Sequence, residues 1–510
     1  MIARIQTAAL NGISIMDIMV EVQVSNGLPA FTVVGLPDKA VAESRERVRA
    51  ALTSIGLALP PKRITVNLAP ADILKEGSHY DLPIALGLMA AIGALEDVEL
   101  ERYLILGELS LDGRIGAVPG VLPAAIRANV LDLSLICPAA NGYEATWAGG
   151  ELPVIAACSI IDVVNHLKGN GQIAPPSATV LKKPINAVHS SLDMRDIKGQ
   201  EVAKRAIEIA AAGGHNILLV GPPGSGKSML AARLPGLLPD LTPQEALEVS
   251  LIRSISGEIT DGAIDFNRPF RAPHHSSSMA ALVGGGSKAK PGEVTLAHLG
   301  VLFLDELPEF GRQALDSLRT PMETGETTVA RANRHVTYPS RVQVVAAMNP
   351  CKCGDVGDVD LGCRKGSRCM QDYQARISGP ILDRMDLYVE VPGVRAIDLS
   401  LPPANEGTEE IAARVAAARD IQTERYKENG FRFNAEADGD VLMTACALNT
   451  EVSSMLQCAA IKLKLSARGY HRVLRVSRTI ADLVGAREIS SLHMAEALSF
   501  RRSPVTHLQS

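Results

Sequence analysis

Eight residues in the middle of the chain, Gly221-Pro222-Pro223-Gly224-Ser225-Gly226-Lys227-Ser228, have the types and spacing of a phosphate-binding loop. Its glycines let backbone N–H groups close around phosphate oxygens, and a helix opening just after it adds partial positive charge. Lys227 supplies a cation for the β- and γ-phosphates, and the Ser228 hydroxyl a ligand for Mg²⁺. ATP with Mg²⁺ is the partner these residues fit. Downstream, the apolar run Val301-Leu302-Phe303-Leu304 ends in Asp305 and Glu306. Asp305 is expected to hold Mg²⁺, directly or through water, and Glu306 to polarise the attacking water; the bland reading is a core strand ending in acids. A third apolar run, residues 342–348, ends in Asn349, either a turn residue or a side chain that orients water near the γ-phosphate. Farther on come Arg376 and Arg384. An arginine reaching a neighbouring subunit's nucleotide can add roughly 10³–10⁵ in rate. Arg384 is the first choice for that role and Arg376 the second, against a structural salt bridge to Asp383 or Asp386.

The elements that must position these groups follow from periodicity. Residues 216–220 read as a buried strand before the loop and 229–234 as a helix after it. Upstream, residues 13–24, 30–34, 65–68 and 104–108 read as strands, and 39–57 and 82–95 as helices. Residues 168–191 are rich in Gly, Pro and Ser and read as a linker. Beyond 393 the pattern is helical, clearest over 409–429, with Thr408 as its N-cap, and over 473–484. The expected organisation is therefore α/β: residues 1–167, a linker at 168–191, an ATPase core at 192–392 and a helical region at 393–510.

The order Asp196-Ile197-Lys198-Gly199-Gln200, the loop, Asp305-Glu306, Asn349 and Arg384 resembles that of an AAA+ ATPase. More specific is the stretch Arg268-Pro269-Phe270-Arg271-Ala272-Pro273-His274-His275, followed by the glycines 284–286, Pro291-Gly292-Glu293 and residues 296–310. It resembles the magnesium-chelatase-like AAA+ proteins, and closely the ComM/YifB family, over nearly the whole chain. The resemblance implies a homo-hexameric ring with ATP between subunits. It also implies a DNA helicase that drives branch migration in natural transformation. Residues 393–510 become a lid, in which an arginine near the start of a helix reaches back to the nucleotide. Arg468 matches that position best, with Arg472, Arg475 or a merely solvated arginine as alternatives.

Two insertions bear on DNA. Gly284-Gly285-Gly286-Ser287-Lys288-Ala289-Lys290 is a Gly-rich tip with two lysines, and residues 327–339 read as a hairpin carrying Arg331 and Arg334. These four cations are either solvated loop charges or, as the resemblance implies, pore groups that grip phosphates without reading sequence. Between Asn349 and Arg376 stand Cys351, Cys353, Cys363 and Cys369, spaced C-x-C-x9-C-x5-C. Four thiolates hold a structural Zn²⁺ without an open position; the alternative is free thiols in a loop.

Residues 1–167 resemble the Lon-protease-type, ribosomal-S5-like domain. Lys75 to Pro83 matches the region of that family's nucleophilic serine, and residues 113–122 the region of its lysine. Leu122 stands at the lysine position, and Ser78 has no partner evident in sequence. A serine nucleophile needs an adjacent base, so this region is read as non-proteolytic.

Bulk composition narrows the classes. Aromatics are 3%, with Trp147 the single tryptophan, which disfavours nucleic-acid binding by base stacking. A net charge of −5 requires that any anionic partner meet a local basic patch. The longest apolar run, about 14 residues, is short for a bilayer. No signal-peptide layout is visible at the start, so a cytoplasmic protein with no membrane partner is expected. Three functions stand: a DNA motor, the ATPase component of a metal chelatase, and an ATP-dependent protease disfavoured by Leu122.

Overall fold

The computed structural model describes residues 2–95, 98–176, 192–259, 262, 264–286, 289–331, 334–352, 366–394 and 406–501. The chain opens with a long hairpin, β1 (Ile2–Asn11) and β2 (Ser14–Ser25). Asn11 pairs with Ser14 across a Gly12-Ile13 turn, and Gly12 supplies the positive φ of 66°. The sheet grows by β3 (Ala30–Val34), β4 (Arg63–Ala69), β5 (Tyr103–Ile105), β8 (Ser134–Pro138) and β9 (Val154–Ala157). Between β5 and β8 a small ladder joins β6 (Glu108–Leu109) to β7 (Ile115–Gly116). The order β3-β4-β2-β1-β5-β8-β9 mixes antiparallel and parallel pairs. Alternate residues of β1 and β2 face the apolar helix Asp81–Ala91, nine of whose eleven residues are buried, and inward residues of β4 join the same core.

The second sheet is wholly parallel. It consists of β10 (Ile217–Val220), β11 (Phe270–Arg271), β12 (Val301–Leu304), β15 (Gln343–Met348) and β16 (Leu387–Glu390), in the order β11-β12-β15-β10-β16. β10, β12 and, after Gln343, β15 are continuous buried apolar runs, as central strands of a sheet covered on both faces require. One face packs on the helices Glu201–Gly213 and Lys227–Leu237 and, in the same core, on the C-terminal helices Thr408–Tyr426, Gly439–Ala445, Thr450–Lys462, Ala467–Leu483 and Ser491–Ser499. The other face carries a separate core with Leu282, Leu307, Leu315 and Ile381. The hairpin β13 (Glu326–Arg331) and β14 (Arg334–Pro339) stands outside this sheet.

Several sequence expectations need correction. β1 lies where no strand was read, although Asn11-Gly12 carries a hairpin signal. The strand expected over 104–108 is two short strands, because β6 leaves the main sheet to pair with β7. Thr408 is not a cap but the first helical residue; its Oγ accepts from the Met194 N–H at 2.9 Å, tying the helix to the segment just before the Glu201–Gly213 helix. Residues 177–191, most of the expected linker, lie outside the described residues. No described helix is long and apolar enough to cross a membrane.

Candidate active site

Three neighbouring strands, β12, β15 and β10, end on one edge of the parallel sheet, where ligands bind in open α/β folds. From β10 the chain turns into the Gly-rich loop. A Cβ at Gly221 would lie 2.0 Å from the Val391 carbonyl oxygen, so only glycine fits there. Lys227 opens the following helix and is 8% exposed. Its Nζ donates to the carbonyls of Gly221 (2.9 Å) and Pro222 (2.8 Å), to Ser225 Oγ (3.3 Å) and to Asn349 Oδ1 at the end of β15 (3.2 Å). Burial holds its pKa below the ordinary lysine value, opposed by the nearby carboxylates of Asp305 and Glu306. The ammonium is thus held among oxygens, in a loop whose backbone can wrap phosphate.

Ser228 Oγ donates to Asp305 Oδ2 at 2.8 Å, so the two expected Mg²⁺ ligands are neighbours although 77 residues separate them. This pair fits a hard cation, with oxygen donors on both sides. Glu306 follows in a left-handed conformation, φ 52°, with its N–H donating to Asp305 Oδ1 at 2.9 Å. Its Oε2 lies 3.3 Å from Nδ1 of His275. Sequence reading assigned no role to His275, and the adjacent His274-His275 pair was the only signal. Gln200 also contributes to the loop. Its Nε2 donates to the Pro392 carbonyl at 2.6 Å and reaches the Ser225 carbonyl at 3.5 Å, so it braces the loop.

The arginines divide between the two edges of the sheet. Arg376 pairs with Glu309 at 3.1 Å, three residues beyond Glu306 and on the same edge as Lys227. Arg384 lies at the opposite edge, on a cavity of about 690 Å³ that also takes in Asn216, Gly300 and Gln343 at the strand beginnings. Its guanidinium pairs with Glu323, not with Asp383 or Asp386, and donates to the Pro380 carbonyl at 2.7 Å. Arg384 Nε is buried with no hydrogen-bond partner among the described residues.

Arg468 lines the same far cavity, 67% exposed, with Asp383 at 3.8 Å. Arg468 thus lies with the strand beginnings, a strand's length from Lys227 of the same chain. The cause is the docking of the Ala467–Leu483 helix, which Arg472 fixes through Asp383 (3.5 Å) and Asp386 (3.3 Å) and Arg475 through the Ala437 carbonyl (2.7 Å). Arg472 and Arg475 are thus committed to structural contacts.

Of the four DNA candidates, Lys290 is exposed at the end of the Gly-rich tip, where its backbone bridges Gly285. Lys288 lies outside the described residues. Arg331 and Arg334 are the last backbone pair of the β13–β14 ladder. Tyr338 of β14 donates its hydroxyl to the Ala289 carbonyl at 2.8 Å, so the tip and the hairpin are joined. Cys351 is buried and Cys369 half-buried, while Cys353 and Cys363 lie outside the described residues. Among the described residues no cluster of three or more His, Cys, Asp or Glu could hold a metal.

In the N-terminal sheet region Ser78 does have a partner that sequence reading did not find: its hydroxyl donates to the Glu108 carboxylate. His79 turns its Nε2 to the Ala8 carbonyl at 2.8 Å, and burial lowers its pKa to about 4. Leu122 is fully buried, its N–H donating to Ser254 Oγ at 3.3 Å.

The comparisons with known proteins follow this geometry. Residues 193–399 match the family model described as magnesium chelatase, subunit ChlI; residues 20–141 match subunit ChlI of Mg-chelatase, and 405–501 its C-terminal region. Competence protein ComM of Haemophilus influenzae is 44% identical, over 98% of this chain and 97% of its own length. The chain belongs to the ComM/YifB family. The uncharacterized protein YifB of Salmonella typhimurium is 42% identical over 98% of this chain and 97% of its own. More distant is the magnesium-chelatase 38 kDa subunit of Cereibacter sphaeroides, 24% identical over 61% of this chain and 92% of its own. For this ComM/YifB chain, the joint between the N-terminal sheet and the region of the parallel sheet is hydrogen-bonded: Gly120 N–H donates to the Ser254 carbonyl at 2.9 Å, and Trp147 Nε1 to the Gly262 carbonyl at 2.8 Å.

Proposed function

We propose that this protein is a cytoplasmic AAA+ ATPase that assembles as a homo-hexameric ring and uses ATP hydrolysis to move DNA, promoting branch migration and strand integration. The observation that carries the ATPase reading is the meeting of Lys227, Asn349, Ser228 and Asp305 at three adjacent strand ends. Full-length similarity to a competence protein supports DNA as the substrate. Residues 1–167 form a non-proteolytic Lon-like domain in this reading, 192–392 the motor core and 393–510 the lid.

Within one subunit, residues 221–226 and Lys227 bind the phosphates and orient the γ-phosphate. Glu306 takes the proton of the attacking water, and Asn349 positions that water. Mg²⁺, held by Ser228 and Asp305, would neutralise charge on the phosphates. Arg384 and Arg468, on the far edge, face a neighbouring subunit's nucleotide, so each site is completed by the next chain. Arg376 is left to brace Glu309.

Lys288, Lys290, Arg331 and Arg334 grip phosphates in the pore. Replacing Arg331 and Arg334 with Ala should weaken DNA binding and lower the slope of log affinity against log salt by about 2, one per phosphate contact, while basal ATP turnover survives. An unchanged slope in a salt titration removes the hairpin from the DNA path. Cys351, Cys353, Cys363 and Cys369 hold one structural Zn²⁺; metal analysis after chelator-free purification should give about one Zn per chain, and less than about 0.3 contradicts the site.

The function is tested by ATP turnover with and without a branched DNA. Stimulation is expected of the motor. An ATPase indifferent to DNA favours a chelatase-type ATPase, to which the 24% identity points. ATP-dependent casein degradation would instead restore a protease reading.

A further inference from the structure

We propose that the N-terminal sheet is the seat of the β13–β14 hairpin: Leu10 and Ile13, at the β1–β2 turn, are positioning residues that hold Arg331 and Arg334 where DNA is gripped. The grip on DNA rests on the proposed motor function, whereas the seat does not. β13 and β14 pair with each other and with no other described strand. A lone two-stranded hairpin is marginally stable at best in water, so its shape depends on what covers its apolar face. Side chains alternate along it: Val329, Val336 and Tyr338 are buried, whereas Thr328, Ala330, His335 and Thr337 are exposed. The buried three share one small core with Ile255 and Ala289, and Leu10 and Ile13 pack against it.

The contact is close. A Cβ added at Gly12 would lie 2.6 Å from Val336 Cγ1, so the turn meets β14 with no room for a larger residue. Gly12 also carries the positive φ of 66° that the turn requires, which fixes its neighbour Ile13. Along the ladder, Arg331–Arg334 lies two pairs beyond Val329–Val336, about 7 Å at the rise of a strand. Seating Val336 therefore places the backbone that carries both arginines. The Gly-rich tip joins the same patch: the Ala289 carbonyl accepts from Tyr338, and a Cβ at Gly284 would lie 3.2 Å from Val329 Cγ2. Ile255 belongs to the Pro243–Ser256 helix, whose Ser254 accepts the Gly120 N–H on its carbonyl and the Leu122 N–H on its hydroxyl. Leu10 closes against Gly120, where a Cβ would lie 2.6 Å from Leu10 Cδ2. One apolar patch thus joins the N-terminal sheet to both candidate DNA elements.

The test uses the full-length protein, wild type against Ile13→Ser and Ile13→Val. Without DNA, amide hydrogen exchange over residues 335–338 should be about tenfold faster in Ile13→Ser and near wild type in Ile13→Val, because one apolar contact is lost and then restored. A labelled synthetic Holliday junction should bind Ile13→Ser on the order of tenfold more weakly, since two arginine side chains must then be ordered on binding. The slope of log affinity against log salt should fall with it, while basal kcat and KM for ATP stay at wild type. A merely structural role would lower basal turnover and junction binding together. Ile13→Ala, the milder truncation, is read in the same way if Ile13→Ser does not fold. Wild-type exchange in the truncated variant overturns the proposal, and so does undiminished junction binding. If the wild type does not bind the junction while exchange in Ile13→Ser still rises, the motor reading fails and the seat stands.

Discussion

Glu306→Gln should lower kcat for ATP by roughly 10²–10⁴-fold while leaving ATP affinity within about twofold. The substitution preserves size and hydrogen bonding but removes the oxygen that takes a proton from water. In the proposed site binding is carried elsewhere: by the loop that Gly221 allows to pass against Val391, by Lys227 among its four oxygen partners, and by Ser228 with Asp305. The side chain of Glu306 is 52% exposed and its contact with His275 is a partly exposed one, so the fold loses little with it. Equilibrium binding of a fluorescent ATP analogue beside steady-state turnover separates the two effects. A variant that hydrolyses ATP within tenfold of wild type would mean that another group is the base.

Arg384→Ala should cost roughly 10³–10⁵ in kcat, and ATP binding by the isolated chain should be untouched. The reason is its position. Arg384 shares a far-edge cavity with Asn216 and Gln343, at the beginnings of strands whose opposite ends carry the phosphate loop and Asn349. It cannot serve both edges of one subunit, and its Nε is left without a described partner. Arg384→Lys, which keeps the charge toward Glu323, controls for loss of that pair and should remain well below wild type because the planar fork is gone. Mixing Arg384→Ala chains with Lys227→Ala chains should recover activity, since an intact loop then meets an intact arginine at some interfaces. No recovery on mixing would place the arginine's action inside its own subunit.

The site was legible in sequence where it is local or ends a strand. The loop, Asp305-Glu306 and Asn349 each follow an apolar run whose burial fixes the direction of the next residue. Parallel pairing then brings three such ends together. What sequence did not reveal depends on docking. The side of the sheet that Arg468 occupies is set by how the Ala467–Leu483 helix lies on Asp383 and Asp386. The Glu323 partner of Arg384 is 61 residues away, and the Glu108 partner of Ser78 is 30 away. His275 stands on an irregular turn after the two-residue strand β11, where no periodicity points a side chain anywhere. β1 was missed for another reason: its alternation is blurred by three consecutive buried residues, Thr7, Ala8 and Ala9.

The central claim, that ATP hydrolysis here moves DNA, is tested most directly by branch migration of a synthetic Holliday junction, comparing wild type with Glu306→Gln. The wild type should resolve the junction into its product duplexes only with ATP and Mg²⁺, and Glu306→Gln should bind the junction without moving it. A wild-type protein that turns over ATP in the same tube while the junction stays in place would contradict the account.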